Sequence, residues 1–380
     1  VKNATGRPIR LLITGGGTGG HLFPAVAAAQ ALRLRQPESE VLFIGTRRKI
    51  DTTTLDGYGF ASCSIHSYGL KGKSPLELLK AIAALPVSIF QAAVHIRRFR
   101  PDVALGVGGY VTGPVMVAAK LMGVPTIIHE QNSVPGLANR KLGTLVNRIC
   151  VSLPGSERFF PLEKTILTGN PVRQNILALA REEKDKSGVF TIMILGGSQG
   201  AHAVNRLVTE ALCDYGKENL PEFAVIHQTG QKDAEWVENR YREAGVNATV
   251  APFFRDMAEV YSKADLLVSR AGATTLTELA VLGKPAILVP YPFAADDHQT
   301  KNGAYYVDGG GAVQFIEKDL HSELLFRTIE DLMKSGDRRA VMAEGMRGLA
   351  IPDAAEKIVD VCLQAAGGTM EPAIDTMRGN

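Results

Sequence analysis

The chain is poor in cysteine, with four in 380 residues, at positions 63, 150, 213 and 362. They lie too far apart for a disulfide framework or a cysteine metal cluster, and such usage fits a reducing compartment. No His-Glu-x-x-His or Cys-rich spacing occurs, so the sequence carries no zinc motif. Long apolar runs are missing too. A membrane span needs about 20 mostly apolar residues, and the most apolar stretch, Ala81 to Ile96, is interrupted by Pro86, Gln91 and His95. Val1 to Pro8 lacks the apolar core of a signal peptide, which points to the cytoplasm. Charge of one sign is scarce as well: a net +3 is too small to argue for a nucleic-acid partner.

What is present describes an ordinary globular protein, with 45% hydrophobic and 21% charged residues, and the length predicts two domains. The most distinctive stretch runs from Thr14 through Gly15, Gly16, Gly17, Thr18, Gly19 and Gly20 to His21. The apolar run Ile9 to Ile13 leads into it as a buried parallel strand, and a helix over Ala25 to Leu34 leaves it with Pro24 in its first turn. A glycine-rich strand-to-helix turn presents unpaired N–H groups and suits a phosphate, although a tight turn without a ligand has the same composition. His21 stands where the helix begins.

Strands are expected at Val41 to Ile44, Ala61 to Ile65, Val103 to Leu105, Thr126 to Ile128, Arg148 to Val151 and Thr165 to Leu167. Helices are expected between them, including one over Pro75 to Arg98 broken or bent near Pro86. The pattern restarts at Val189 to Leu195, followed by Gly196 to Ala201 and a helix over Val204 to Leu212. Further strands are read at Ala224 to Gln228, Thr249 to Ala251, Leu266 to Ser269, Ala286 to Val289 and Ala312 to Phe315. Alternation of this kind predicts an α/β protein of two doubly wound, Rossmann-like domains facing across a cleft. The expected divisions are 1–168, 169–351, a helix at about 352–366 that packs back on the first domain, and a mobile tail over 367–380. In such sheets ligands bind at the carboxyl ends of strands, where the glycine-rich and polar clusters fall.

Among these clusters, Ser269 to Glu278 ends a strand and opens a helix. Its first-turn N–H groups suit a diphosphate, and Glu278 suits a ribose diol; a capped helix with a surface Glu reads the same way. Pro290 to Asn302 offers Gln299 and Asn302 to sugar hydroxyls, while Asp296 and Asp297 read as helix-dipole partners rather than metal ligands. Arg173, at the domain junction, suits a phosphate or an interdomain ion pair. Lys71 and Lys73 precede Leu76, Leu78, Leu79, Ile82 and Leu85, a basic loop beside an apolar helix face. That pattern fits an anionic membrane surface or a core-facing helix, and Arg97, Arg98, Arg100, Arg140 and Lys141 extend its charge if they share the surface.

Six motifs in order carry a family resemblance: Gly15 to Pro24, Gly108 to Pro114, His129 to Asn132, Gly169 to Arg173, Gly196 to Gly200 and Arg270 to Glu278. Together they resemble the MurG family of GT-B, family 28-type glycosyltransferases, which act on lipid-linked peptidoglycan precursors. The resemblance implies inverting transfer of GlcNAc from UDP-GlcNAc to the C4 hydroxyl of MurNAc in undecaprenyl-diphosphate-MurNAc-pentapeptide (lipid I), giving lipid II. It implies no metal and no cofactor beyond the sugar-nucleotide substrate. By position it makes His21 the general base and places Gly17, Tyr110 and Glu130 on the acceptor side. Thr18, Gly19, Gly20, Asn132, Arg173, Ser198, Gln199, Phe254, Ala273, Thr274, Thr275, Leu276, Thr277, Glu278 and Gln299 fall on the donor side, with the Phe254 backbone at uracil. It further implies a peripheral enzyme on the cytoplasmic face of the bacterial inner membrane, next to an anionic lipid surface and other cell-wall synthesis proteins. A UDP-GlcNAc 2-epimerase or another GT-B glycosyltransferase is the alternative. An NAD-dependent dehydrogenase would need an acidic residue closing the second strand, where Thr46, Arg47 and Arg48 stand instead.

Overall fold

The computed structural model describes residues 8–16, 19–46, 55–68, 74, 83–182, 188–196, 200–216 and 220–367. The chain forms two compact units, one of Val1–Arg173 together with Ile351–Asn380 and the other of Gln174–Ala350.

The first unit holds β1 (Arg10–Thr14), α1 (Gly19–Arg35), β2 (Glu40–Gly45), β3 (Ala61–Ser64), α2 (Leu85–Phe99), β4 (Val103–Gly106) and α3 (Thr112–Leu121). β5 (Thr126–Glu130), α4 (Leu137–Gly143), β6 (Arg148–Val151) and β7 (Thr165–Leu167) complete it up to the end of its sheet. Its seven strands run in the order β3-β2-β1-β4-β5-β6-β7, with every pairing parallel. Parallel strands are covered on both faces and must be apolar on both. In β1, Leu11 and Ile13 enter one core cluster with Ala25, Val26 and Ala29 of α1, while Leu12 enters another with Ala92 and Ile96 of α2 and Met116 of α3. The period-two alternation of one strand thus feeds two layers.

The second unit begins with α5 (Gln174–Leu179) and β8 (Phe190–Leu195), then α6 (His202–Glu210), β9 (Phe223–Gln228), α7 (Ala234–Ala244), β10 (Asn247–Ala251), α8 (Met257–Lys263) and β11 (Leu266–Ser269). It continues with α9 (Ala273–Leu282), β12 (Ala286–Leu288), α10 (His298–Asp308), β13 (Ala312–Gln314), α11 (Ser322–Lys334) and α12 (Gly336–Gly348). The sheet order is β10-β9-β8-β11-β12-β13, again parallel throughout. Each sheet reverses its winding once, between β1 and β4 and between β8 and β11, and such a switch point is where an open α/β sheet leaves a crevice for ligands.

α13 (Ala354–Gly367) belongs to the first unit. Its Ile358, Val359, Cys362 and Leu363 are buried in the same cluster as Leu11 and Val26. Gly169 has φ +82, and a Cβ there would lie 2.8 Å from Ile351 Cβ and 3.0 Å from Ala354 Cβ, so only glycine lets the chain pass this helix start.

Several boundaries differ from the sequence expectation, for local reasons. α1 begins at Gly19, which puts Pro24 inside the helix rather than in its first turn; the missing N–H costs one bond in the second turn. Of the break or bend expected near Pro86, the structure has the helix start: Pro86 occupies the first turn of α2, where an N–H needs no partner within the helix. Residues 75–82 of the expected longer helix lie outside the described residues. β5 runs on through His129 and Glu130, since both are buried and their backbone pairs with Cys150 and Val151. After α6 the chain continues in π-helical turns over Ala211–Gly216. Among the described residues no helix is long and apolar enough to cross a membrane.

Candidate active site

In the first unit the switch point gathers the ends of β1, β4 and β5. Gly15 leaves β1 against Val107: a Cβ on it would come within 2.2 Å of Val107 Cγ2. After β4, Gly108 and Gly109 take φ values of +102 and +87, which L side chains avoid. A Cβ on Gly108 would lie 2.9 Å from His21 Cε1 and Nδ1, so the imidazole packs directly on this backbone. His21 sits in the first turn of α1, half-buried, with Nδ1 3.1 Å from Gln131 Oε1. Gln131 is buried, and its Nε2 donates to Val107 O at 2.8 Å and faces His129 Nδ1 at 3.1 Å. His129 Nε2 lies 3.1 Å from Gly169 O and 3.0 Å from Ser152 Oγ. Burial pushes the His129 imidazole down to about 4, against a smaller upward pull from the Gly169 carbonyl, so it is neutral at physiological pH.

Glu130 is used internally. One carboxylate oxygen accepts from Asn132 N and Asn132 Nδ2 at 3.0 and 3.1 Å, the other from Gly136 N and Asn139 Nδ2 at 3.2 and 2.8 Å. With four donors and 2% exposure it clamps the loop that carries Asn132 rather than opening toward a ligand. The Tyr110 carbonyl accepts from Ser67 Oγ at 3.0 Å. Arg173 is buried with its guanidinium 4.5 Å from the centroid of Phe23, also in the first turns of α1. Gly17 and Thr18 lie outside the described residues, and Gly19 and Gly20 open the helix.

In the second unit the switch point lies at the ends of β8 and β11. Gly196 is hemmed in, for a Cβ there would lie 2.7 Å from Ala201 N, and Gly200 takes φ +79 against Thr229 O. Ser198 and Gln199 lie outside the described residues. Gly272 caps α9 in an extended conformation, and a Cβ on it would meet nothing within 4 Å. The first turn of α9, over Ala273, Thr274 and Thr275, puts the positive end of the helix dipole at this strand end. Leu276 and Thr277 are arranged differently: the Leu276 N–H already bonds Gly272 O, both side chains are buried, and Thr277 Oγ1 donates to Ala273 O at 2.9 Å. Glu278 is buried two turns in, and Tyr261 Oη donates to its Oε2 at 3.0 Å.

Phe254 donates its N–H to Gln228 Oε1 at 3.0 Å. Gln299 Oε1 accepts from Tyr291 N at 2.9 Å, which turns its amide N–H groups outward. Arg270 is held by an ion pair with Glu317 at 2.6 Å and by the carbonyls of Val289 and Pro290 at 3.1 Å. Asp296 and Asp297 both take φ 54, and among the described residues no three His, Cys, Asp or Glu side chains converge as a metal site. Sequence reasoning gave no role to Gln131 or Tyr261, each of which orients a candidate functional side chain. Gln131 had one signal: it stands two residues after His129, on the same side of an extended strand.

The glycosyltransferase family 28 N-terminal domain matches residues 11–151, and the glycosyltransferase family 28 C-terminal domain matches residues 191–358. A relative from Desulfotalea psychrophila is 57% identical over 355 residues, covering 93% of this chain and 96% of its own. It is named UDP-N-acetylglucosamine--N-acetylmuramyl-(pentapeptide) pyrophosphoryl-undecaprenol N-acetylglucosamine transferase. The crystal structure of Acinetobacter baumannii MurG superposes with a TM-score of 0.73 at 33% identity, over 94% of this chain and 100% of that one. A UDP-GlcNAc 2-epimerase from Neisseria meningitidis, bound to UDP-GlcNAc, gives 0.67 at 17% identity over 94% of this chain and 100% of its own, a likeness of fold alone.

Proposed function

Because the chain belongs to glycosyltransferase family 28, we infer that it transfers GlcNAc from UDP-GlcNAc to undecaprenyl-diphosphate-MurNAc-pentapeptide, the step that completes lipid II for peptidoglycan. The observation that carries this is 57% identity, across 93% of the chain, to a transferase named for these substrates. The acceptor is assigned to the first unit and the greater part of the donor set to the second. The helix start at Ala273, Thr274 and Thr275 suits the UDP diphosphate, Glu278 the ribose, the Phe254 backbone the uracil and the Gln299 amide the sugar hydroxyls. Ser198, Gln199, Thr18, Gly19, Gly20 and Asn132 complete the donor set by family position. Gly17 and Tyr110 stand on the acceptor side, and Glu130 serves it through the loop it clamps.

These groups account for the chemistry. A sugar hydroxyl is a poor nucleophile, and a neutral imidazole can take its proton at physiological pH. His21 accepts the proton of the MurNAc C4 hydroxyl as the O4–C1 bond forms. The bond from C1 to the diphosphate oxygen breaks, and UDP leaves with the electron pair. Helix N–H groups answer the charge that gathers on the leaving phosphate, so this reading calls for no cation. A single displacement inverts the anomeric centre.

We place the enzyme at the cytoplasmic face of the inner membrane. On α2, Val87, Phe90 and Val94 are 53%, 70% and 51% exposed, three or four residues apart, and Arg97 and Arg98 continue the stripe. An apolar stripe ending in arginines suits an anionic lipid surface. The expected basic loop at Lys71 and Lys73 lies outside the described residues. The deciding experiment incubates the protein with radiolabelled UDP-GlcNAc and a lipid I analogue. UDP release that depends on the acceptor, with label in the lipid product, is expected. Formation of UDP-ManNAc without acceptor would install the epimerase instead.

A further inference from the structure

The hydrogen bonds around Gln131 fix more than its position. Val107 O is a carbonyl and can only accept, so the amide atom 2.8 Å from it must be the NH₂ nitrogen. The same orientation is required at the other end of the network. Gly169 O can only accept, so neutral His129 carries its proton on Nε2, and its Nδ1 is then a lone pair that needs a donor. Gln131 Nε2 supplies that donor at 3.1 Å. Two carbonyls on different segments therefore assign the Gln131 amide in the same sense, and Oε1 is the atom left facing His21. An amide oxygen 3.1 Å from His21 Nδ1 accepts, so in neutral His21 the proton sits on Nδ1 and the lone pair on Nε2. The absence of a Cβ at Gly108 leaves the ring its place, since a Cβ there would lie 2.9 Å from Cε1 and Nδ1.

We propose that Gln131 is a positioning residue that locks His21 in the Nδ1–H tautomer and so leaves Nε2 as the proton-accepting atom. Free imidazole favours the opposite form, with the proton on Nε2, which offers no lone pair at that position. The lock reaches from Gly169 O through His129 and Gln131 to His21, and no charged group takes part. The catalytic half of this proposal rests on His21 being the base; the tautomer does not.

The test is a nitrogen NMR spectrum of protein labelled at its eight histidines, with the His21 signals identified by their loss in His21→Ala. Above the imidazole titration, His21 is expected to show a protonated Nδ1 and an unprotonated Nε2. A proton on Nε2 in the unmodified protein overturns the proposal whether or not any variant folds. Gln131→Leu is expected to move the proton to Nε2 and lower kcat by at least about 10-fold, with the KM for UDP-GlcNAc unchanged. Gln131→Glu keeps an acceptor facing Nδ1 and, with its buried carboxyl protonated, an O–H in place of the amide donor; it is expected to hold the Nδ1–H form and recover much of the lost turnover. Equal behaviour of the two variants overturns the proposal. If Nδ1–H is observed but His21→Ala still turns over normally, the base assignment falls and the lock stands.

Discussion

At the end of β1 the first unit presents an imidazole held by a chain of side-chain hydrogen bonds, His21 to Gln131 to His129, ending on the Gly169 carbonyl. At the end of β11 the second unit presents a helix start at Gly272, where an added Cβ would meet nothing within 4 Å, with one carboxylate behind it held by Tyr261. The topological place is the same in both sheets, but the building materials differ. Oriented side chains suit the movement of a proton, and the N-terminus of a helix suits the holding of an anion. A doubly wound sheet supplies the crevice in either case, and the segment that leaves the strand decides its use.

If that division is right, variants in the two units should fail in different ways. His21→Ala is expected to lower kcat by about 10² to 10⁴-fold while calorimetric UDP affinity stays within about two-fold of normal; an equal loss of both would break the comparison. Next in size is a property the units share, since each buries a neutral histidine. His129 is pushed down to about 4 and His227 to about 3, in both cases chiefly by burial. The unfolded chain binds protons at these sites below about pH 6.5 and the folded chain does not, so stability is full above that value and falls as the pH drops toward 4. His129 alone accounts for about 3 kcal/mol at the acid end. Urea unfolding at pH 7 and pH 4.5 measures the loss, and a flat profile would show that both histidines take up protons in the native state as readily as in the unfolded chain.

Glu278→Ala is expected to raise the KM for UDP-GlcNAc by about 10- to 100-fold, the worth of a charge-assisted hydrogen bond, and to change kcat little. A kcat effect as large as that of His21→Ala would put chemistry in the second unit. The smallest effect expected is that of Tyr261→Phe, which removes one hydrogen bond to Glu278 and should raise the same KM by about five-fold, roughly 1 kcal/mol. Steady-state kinetics against UDP-GlcNAc checks both.

Much of the architecture was legible because buried parallel strands write themselves as short apolar runs, as Leu11 to Ile13 and Leu266 to Val268 do. Helix limits were less so. Pro24 is tolerated inside α1 and Pro86 opens α2, and a proline alone does not say which will happen. The glycine turns and the Ala273 to Glu278 cluster were readable because each is a local strand-to-helix transition. Gln131 was not, because its role arises only when β4 lies between β1 and β5 and brings residue 131 to residue 21. The Tyr261 to Glu278 bond likewise depends on how α8 packs beside α9. Nor could the sequence show that Gln228 takes the Phe254 N–H or that Glu130 is saturated by its own loop.

The placement of α13 sets an order of events during synthesis. A ribosome releases the strands of the first unit early, yet the layer that covers Leu11 and Val26 includes Ile358, Val359, Cys362 and Leu363. Each of those side chains is worth about 1.5–3 kcal/mol when buried. The second unit, continuous from Gln174 to Ala350, has all its residues in hand before α13 emerges. The half made first is therefore the half completed last, and a chain that stops at residue 350 leaves its N-terminal sheet with an uncovered apolar face for chaperones or proteases to find.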